Sequence, residues 1–311
     1  MKKKMQFKLS TTQTVLLSFF LAILAGSILL ALPVSSANSE KISYVDALFT
    51  ATTSVCVTGL VTVPTVSTWS IFGQVVILIL IQIGGLGIIT IMSGLMIGFH
   101  KKMGIGDRML IQDAFNLNTL SGLVKFIKKV LIGTFVVEGI GALLYMTVFV
   151  PEYGAKGIWI SVFNSISAFC NAGIDIIAED SLCSYALNPM IHITTCLLII
   201  IGGIGYVVWW DLLRVLKKVR QQKWKCLSGL TLHSKLALSV TSVLIVAGML
   251  LFLVFEYHNP LTIAEYSLPE KLQAALFQSV TTRTAGFATI PQQNLTNASA
   301  IVSLLLMFIG G

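Results

Sequence analysis

Tyr44-Val-Asp-Ala-Leu-Phe-Thr-Ala-Thr-Thr-Ser-Val-Cys-Val-Thr-Gly59 is one of three stretches that decide how this sequence is read. The others are Trp159-Ile-Ser-Val-Phe-Asn-Ser-Ile-Ser-Ala-Phe-Cys-Asn-Ala-Gly173 and Leu272-Gln-Ala-Ala-Leu-Phe-Gln-Ser-Val-Thr-Thr-Arg-Thr-Ala-Gly286. Each is moderately apolar, too short to cross a bilayer, and ends on a glycine. The glycines stand 114 and 113 residues apart. A second marker follows each at matching depth in a longer apolar run: Gly84-Gly85-Leu-Gly87, Gly202-Gly203-Ile-Gly205 and Gly310-Gly311. Two markers recurring in order make an internal repeat of span, half-span, span.

The half-span has a physical logic. A short helix that dips partway into the membrane must return as non-helical backbone, whose polar groups lipid cannot satisfy. Such a segment survives only packed in protein or lining a water-filled cavity. Several copies around one axis would place their returning strands around a pore. A glycine there permits φ > 0, which lets carbonyls face the axis and replace a cation's hydration shell. The C-terminus of each half-helix adds a negative dipole end.

Working outward, the rest of the chain supplies the membrane context. Hydrophobic residues make up 55% of the 311, charged residues 11%, and mean hydropathy is +0.87. Soluble domains carry about 25% charged residues, so the chain reads as an integral membrane protein, not a disordered, collagenous or disulfide-framed one. Apolar runs at Thr14–Leu32, Phe72–Phe99, Val130–Val150, Ile191–Leu213 and Leu236–Phe255 are expected to span. The last run, from Ala298 to Gly311, is too short to cross at about 21 Å of helix. The chain is therefore expected to stop within a transmembrane helix. The basic start resembles a signal peptide, but the first apolar run exceeds the roughly 7–15 residues of a signal, which favours a retained helix.

Charge orients these spans. Residues 1–13, 100–129 and 214–235 hold 17 of the 21 Lys and Arg, while the alternate loops hold most of the acids. The positive-inside rule puts the N-terminus and the basic segments in the cytoplasm of a multi-pass plasma-membrane protein. The net charge of +8 is thus a topology signal and not a nucleic-acid surface, which would gather its cations on one soluble face. The expected division is an N-terminus at 1–13, repeat 1 at 14–99, a linker at 100–129, repeat 2 at 130–213, a linker at 214–235 and repeat 3 at 236–311. The five cysteines form no CxxC pair and the four histidines show no ligand spacing, so no metal site is expected beyond a transported ion.

Phe49-Thr-Ala-Thr-Thr-Ser-Val-Cys-Val-Thr-Gly-Leu60, Ile81-Gln-Ile-Gly-Gly-Leu-Gly87, Ser167-Ala-Phe-Cys-Asn-Ala-Gly173 and Thr282-Arg-Thr-Ala-Gly-Phe287 together resemble the KtrB/TrkH/HKT superfamily of potassium transporters. Arg108-Met-Leu-Ile-Gln-Asp-Ala-Phe-Asn116 is most similar to its KtrB (NtpJ-like) branch. The resemblance covers the whole chain. It implies an all-α fold of span–pore-loop–span repeats around one pore, two complete and one partial here of an expected four. Gly59, Gly173 and Gly286 would then be selectivity-filter glycines. Val57 and Thr58, Asn171 and Ala172, and Thr284 and Ala285 would supply neighbouring filter carbonyls. Gly310 and Gly311 would begin an intramembrane gate. The resemblance further implies potassium as cargo, sodium as a coupling ion, no bound cofactor, a homodimer and a separate KtrA-type nucleotide-binding ring on the basic segments.

Other residues have plainer readings. Gly84-Gly85-x-Gly87 follows no strand, so it is not a nucleotide loop; like Gly94 and Gly98, it fits close helix packing. Glu138, inside a span, reads either as an ion-pathway or proton site or, favoured here, as a structural carboxylate paired with a buried hydroxyl or backbone group. Arg283 is expected at the outer mouth, neutralised by Glu265 or Glu270. Cys56 and Cys170 are expected to pack between helices. The alternative to transport is a membrane scaffold or an intramembrane enzyme. An enzyme should show paired acids or clustered ligands within the spans, and only Glu138 and scattered hydroxyls are found there.

Overall fold

The computed structural model describes residues 11–37, 42–98, 109, 122–222 and 229–310. The basic N-terminal residues, Gly311, most of the linker 100–129, and residues 223–228 of the second linker, Cys226 among them, lie outside the described residues. Every regular element among the described residues is helical. The order is α1 (Thr11–Leu30), α2 (Tyr44–Cys56), the short α3 (Thr65–Thr68), α4 (Ile71–Leu86), α5 (Ile88–Gly98), α6 (Leu123–Tyr153), α7 (Ala155–Phe169), α8 (Pro189–Gly203), α9 (Tyr206–Gln222), α10 (Leu232–Glu256), α11 (Leu268–Thr281) and α12 (Asn297–Ile309).

This order is one unit repeated. Helices α1, α6 and α10 open each unit, and among the described residues they are the three single helices long and apolar enough to cross a membrane. Their outer faces show Leu16, Phe20, Leu21 and Ile28 on α1, and Val240, Val243, Val246 and Val254 on α10. Water would not tolerate such a surface, but hydrocarbon is the solvent it fits. The glycine-terminated stretches form α2, α7 and α11, of 13, 15 and 14 residues. At 1.5 Å per residue each is about 20 Å long, short of the roughly 30 Å hydrocarbon core. Local chemistry starts them. Ser43 accepts from the Val45 amide at α2, and Ser267 and Glu270 make a capping box at α11. At α7 the chain reverses straight out of α6 through Gly154, whose φ is 59°.

Two expected spans are not single helices. The run 72–99 is divided into α4 and α5 at Gly87 (φ 78°), and the run 191–213 is divided into α8 and α9 at Gly205 (φ 85°). The second pair is bent by 102°. In both, the third glycine of the motif takes a backbone conformation that ends a right-handed helix. The motif therefore marks a break as well as a packing point.

Each unit is locked by one notch that the sequence reading did not pick out. Gly26 on α1, Gly141 on α6 and Gly248 on α10 sit under Leu80, Leu198 and Leu306 of the following apolar helices. A Cβ at these glycines would come within 2.6, 2.8 and 2.9 Å of the leucine methyls. In units two and three the half-helix joins the same place: Ser165 donates to the Glu138 carbonyl (2.6 Å) and Ser279 to the Ile245 carbonyl (2.8 Å). The main core lies between the units, with Ile77, Ile81, Phe149, Phe163 and Phe277 almost fully buried.

Candidate ion pathway

Residue by residue, the three half-helices end in the same way. Val57, Asn171 and Thr284 have φ of 55°, 58° and 65°, and two positions on Gly59, Gly173 and Gly286 have φ of 77°, 62° and 89°. Left-handed backbone costs a β-branched residue such as Val57 or Thr284 about 1–2 kcal/mol, so three copies of the turn are not a default of the chain. Between the two left-handed residues, the amides of Thr58, Ala172 and Ala285 turn back to the carbonyls of Thr53, Ser167 and Thr281 (3.0, 2.8 and 2.9 Å).

These turns meet. A Cβ placed on Gly59 would lie 2.8 Å from the Ala172 carbonyl oxygen and 3.7 Å from Gly173 Cα. One on Gly173 would lie 2.2 Å from the Ala285 carbonyl oxygen, and one on Gly286 would lie 3.3 Å from Gly173 Cα and 3.8 Å from Gly59 Cα. Glycines over a hundred residues apart in sequence are thus backbone to backbone. Among the described residues, no protein group donates a hydrogen bond to the carbonyls of Thr58, Gly59, Ala172, Gly173, Ala285 or Gly286. Buried carbonyls are nearly always paired, so the free carbonyls of the fully buried Ala172 and Ala285, beside those of the more open Thr58, Gly59, Gly173 and Gly286, give the cluster the chemistry of a cation site.

The glycine doublets buttress the turns from behind. A Cβ on Gly84 would strike the Val55 carbonyl at 2.2 Å, and one on Gly202 the Phe169 carbonyl at 1.8 Å. Both carbonyls belong to the residue four before the turn glycine. Gly310 has no such neighbour, with nothing within 4 Å, and Gly311 lies outside the described residues. The connections that follow the half-helices bind adjacent units: the Leu182 amide donates to the Ala288 carbonyl (2.9 Å), and Ser67 donates to Glu179 (3.1 Å).

Three expectations about side chains change. Arg283 is buried, but neither Glu265 nor Glu270 pairs with it. Its guanidinium donates to Thr241 Oγ1 (3.2 Å), in the half of α10 nearer Leu232. The reason is helix length: Glu270 sits at the far end of α11, roughly 20 Å away along the axis, and its carboxylate is occupied by Ser267. Those same capping bonds hold the Glu270 carboxyl below the ordinary range. Glu138 is buried and paired, but with the Gln82 amide (3.0 and 3.2 Å) and not a hydroxyl. Gln82 is two residues before the Gly84 notch, so this bond ties α6 to the buttress of the first turn. Cys170 packs as expected, against Gly85, whereas Cys56 is exposed.

Comparison with known proteins gives this geometry a family. The cation transport protein TrkH family matches residues 1–311. The chain is 41% identical over its whole length to the potassium/sodium uptake protein NtpJ of Enterococcus hirae, covering 67% of that protein. It is 39% identical to the Ktr system potassium uptake protein B of Bacillus subtilis, over 96% of this chain and 64% of that one. The chain thus spans about two thirds of the length of these relatives. The potassium transporter TrkH from Vibrio parahaemolyticus has the same fold: TM-score 0.71 at 17% identity, over all of this chain and 58% of that one. Repeated membrane spans, three convergent glycine turns and a family match from end to end agree: this chain is a multi-pass membrane protein of the TrkH cation transport family.

Proposed function

We propose that this chain is ion-translocating machinery of a Ktr/Trk-type potassium uptake system. The free backbone carbonyls at the meeting of the three turns carry the reading. Val57, Thr58 and Gly59, Asn171, Ala172 and Gly173, and Thr284, Ala285 and Gly286 supply oxygens that replace water around a dehydrating cation. No covalent chemistry is involved. Potassium is the cargo, and sodium accompanies or follows it, in keeping with the potassium/sodium uptake named for the relative from Enterococcus hirae.

The rest of the arrangement follows from charge. The repeats occupy 14–99, 130–213 and 236–311, with the basic linkers 100–129 and 214–235 and residues 1–13 on the cytoplasmic side. Those linkers are the docking surface for a KtrA-type nucleotide-binding ring beneath a homodimer. Gly310 and Gly311 begin the gate. In this orientation Arg283 lies below the turns, on the cytoplasmic side of the pathway.

The test is competitive rubidium and sodium uptake by the full chain, with its partner subunit, in cells deficient in potassium uptake. Rubidium entry should be restored and should be blocked by excess potassium. Gly59→Ser adds a side chain where a Cβ already meets the Ala172 carbonyl, so it should lower the potassium-over-sodium preference about tenfold, which corresponds to about 1.4 kcal/mol. Gly94→Ser should not, because there the added group meets only a Leu131 methyl. An unchanged preference in Gly59→Ser at matched membrane expression would remove Gly59 from the filter.

A further inference from the structure

We propose that Thr53, Ser167 and Thr281 are positioning residues for ion selection: each grips the turn on both sides of its glycine and holds the intervening carbonyls on the axis. The proposal rests on the reading of Gly59, Gly173 and Gly286 as filter residues.

The grip is the same in kind in all three units. On one side of the glycine, the backbone carbonyl of the gripping residue accepts the amide of Thr58, Ala172 or Ala285. On the other side, its hydroxyl binds the backbone of the residue after the glycine. Thr53 Oγ1 accepts from the Leu60 amide (3.0 Å). Ser167 Oγ accepts from the Ile174 amide (3.2 Å) and donates to the Ile174 carbonyl (2.5 Å). Thr281 Oγ1 donates to the Phe287 carbonyl (2.6 Å). Thr53 also exchanges a hydrogen bond with the Thr58 hydroxyl at 2.6 Å. All three gripping residues are buried, at 3%, 0% and 5% exposure, so water cannot take over a lost bond.

Two physical demands make such a device necessary. Left-handed backbone at Val57, Asn171 and Thr284 persists only where its surroundings over-determine it. In addition, the filter carbonyls have no protein donor of their own, so their peptide planes are held only through the groups on either side; in the third unit the Gly286 amide, which also donates to the Thr281 carbonyl (3.3 Å), adds to that hold. A hydroxyl on the last or second-last turn of a rigid half-helix fixes the far side of the glycine to the near side. Only the glycine and its preceding carbonyl then remain free to face the ion. Selectivity depends on the spacing and field of those oxygens, so a loosened turn should admit sodium before it loses conduction.

The experiment measures potassium and sodium uptake by the full chain with its partner subunit, at matched membrane expression. It compares Ser167→Ala and Thr281→Val with the hydroxyl-keeping Ser167→Thr and Thr281→Ser, with Gly59→Ser run in parallel. Loss of one buried hydrogen bond should cut the potassium-over-sodium preference about tenfold, while the hydroxyl-keeping variants stay near the parent. The proposal is overturned if Ser167→Ala and Thr281→Val keep the parent's preference while Gly59→Ser changes it. It is also overturned if Thr281→Ser fails as badly as Thr281→Val, because size and not the hydroxyl would then matter. Failure of the hydroxyl-less variants to reach the membrane, with normal folding of their hydroxyl-keeping partners, would assign these residues to folding and reject the positioning role. If Gly59→Ser leaves the preference unchanged, the filter reading itself falls, and this proposal falls with it.

Discussion

Glycine at positions 59, 173 and 286 answers two demands at once, positive φ and close approach, but not equally at each position. The contacts rank them. At Gly173 an added Cβ runs into the Ala285 carbonyl and two backbone atoms of Gly286; at Gly59 it meets the Ala172 carbonyl; at Gly286 the nearest atom is 3.3 Å away. All three substitutions pay the strain of an L-residue at positive φ, so the difference between them reports the crowding. Rubidium uptake should therefore fall most in Gly173→Ala, by at least about tenfold, given the roughly 1–3 kcal/mol that overpacking against fixed atoms costs. Gly59→Ala should be intermediate and Gly286→Ala mildest. Equal loss in all three would mean that strain alone, and not the meeting of the turns, makes glycine necessary. The sequence picked out these positions because three glycines recurred at a fixed period. It could not rank them, since the atoms they touch belong to other repeats.

At the scale of the helix, the glycine motif in the second apolar run of units one and two does two different jobs. Its first glycine lets the helix back onto the carbonyl four residues before the turn glycine, and its third breaks the helix. Reading 72–99 and 191–213 as single spans missed the break, because hydropathy counts apolar residues and is blind to φ. The bend follows from Gly87 and Gly205 adopting a conformation that interrupts the i→i−4 ladder. The buttress carries its own test. Gly202→Ala would place a Cβ 1.8 Å from the Phe169 carbonyl, whereas Gly203→Ala meets only the Asn171 amide at 3.3 Å. Gly202→Ala should therefore lower the thermal midpoint of the detergent-solubilised protein by several degrees and cut uptake, consistent with about 1–3 kcal/mol of overpacking. Gly203→Ala should change both little. The same midpoint for the two variants would show that this glycine does not hold the turn.

For the molecule as a whole, the apolar exterior fits a lipid solvent, and the proposed orientation rests on the asymmetry of Lys and Arg. Single-cysteine variants test that orientation. An impermeant maleimide applied to intact cells should modify Cys183, in the connection between α7 and α8, and spare Cys226 in the basic linker. The rate at Cys183 should also depend steeply on pH. Burial pushes its thiol up to about 11, and the thiolate is the reactive form. A raised pKa leaves little thiolate at neutral pH, so labelling should climb about tenfold per pH unit from 7 through 9 and show no plateau. Modification of Cys226 from outside would reverse the topology. A plateau by pH 8 would mean that Cys183 is not held as the structure holds it.

Composition, hydropathy, the charge count and the repeated glycine markers by themselves determined that this is a membrane protein, built of repeats, with half-spans ending in glycine turns. Those properties are legible because each is local: a run of residues has its hydropathy, charge and period whatever it packs against. Only the tertiary structure decided that the three turns meet and which carbonyls they leave free. It also decided that Gly26, Gly141 and Gly248 form equivalent notches, and that Thr53, Ser167 and Thr281 clasp both sides of each turn. Arg283 and Glu138 show the same limit from the other side. A charge near an acid in sequence was expected to pair with it, but a rigid half-helix carried Arg283 to Thr241 and left Glu270 at its own cap. Which groups come within hydrogen-bond reach depends on how helices dozens of residues apart are packed, 42 for Arg283 and Thr241 and 56 for Glu138 and Gln82, and no local pattern encodes that distance.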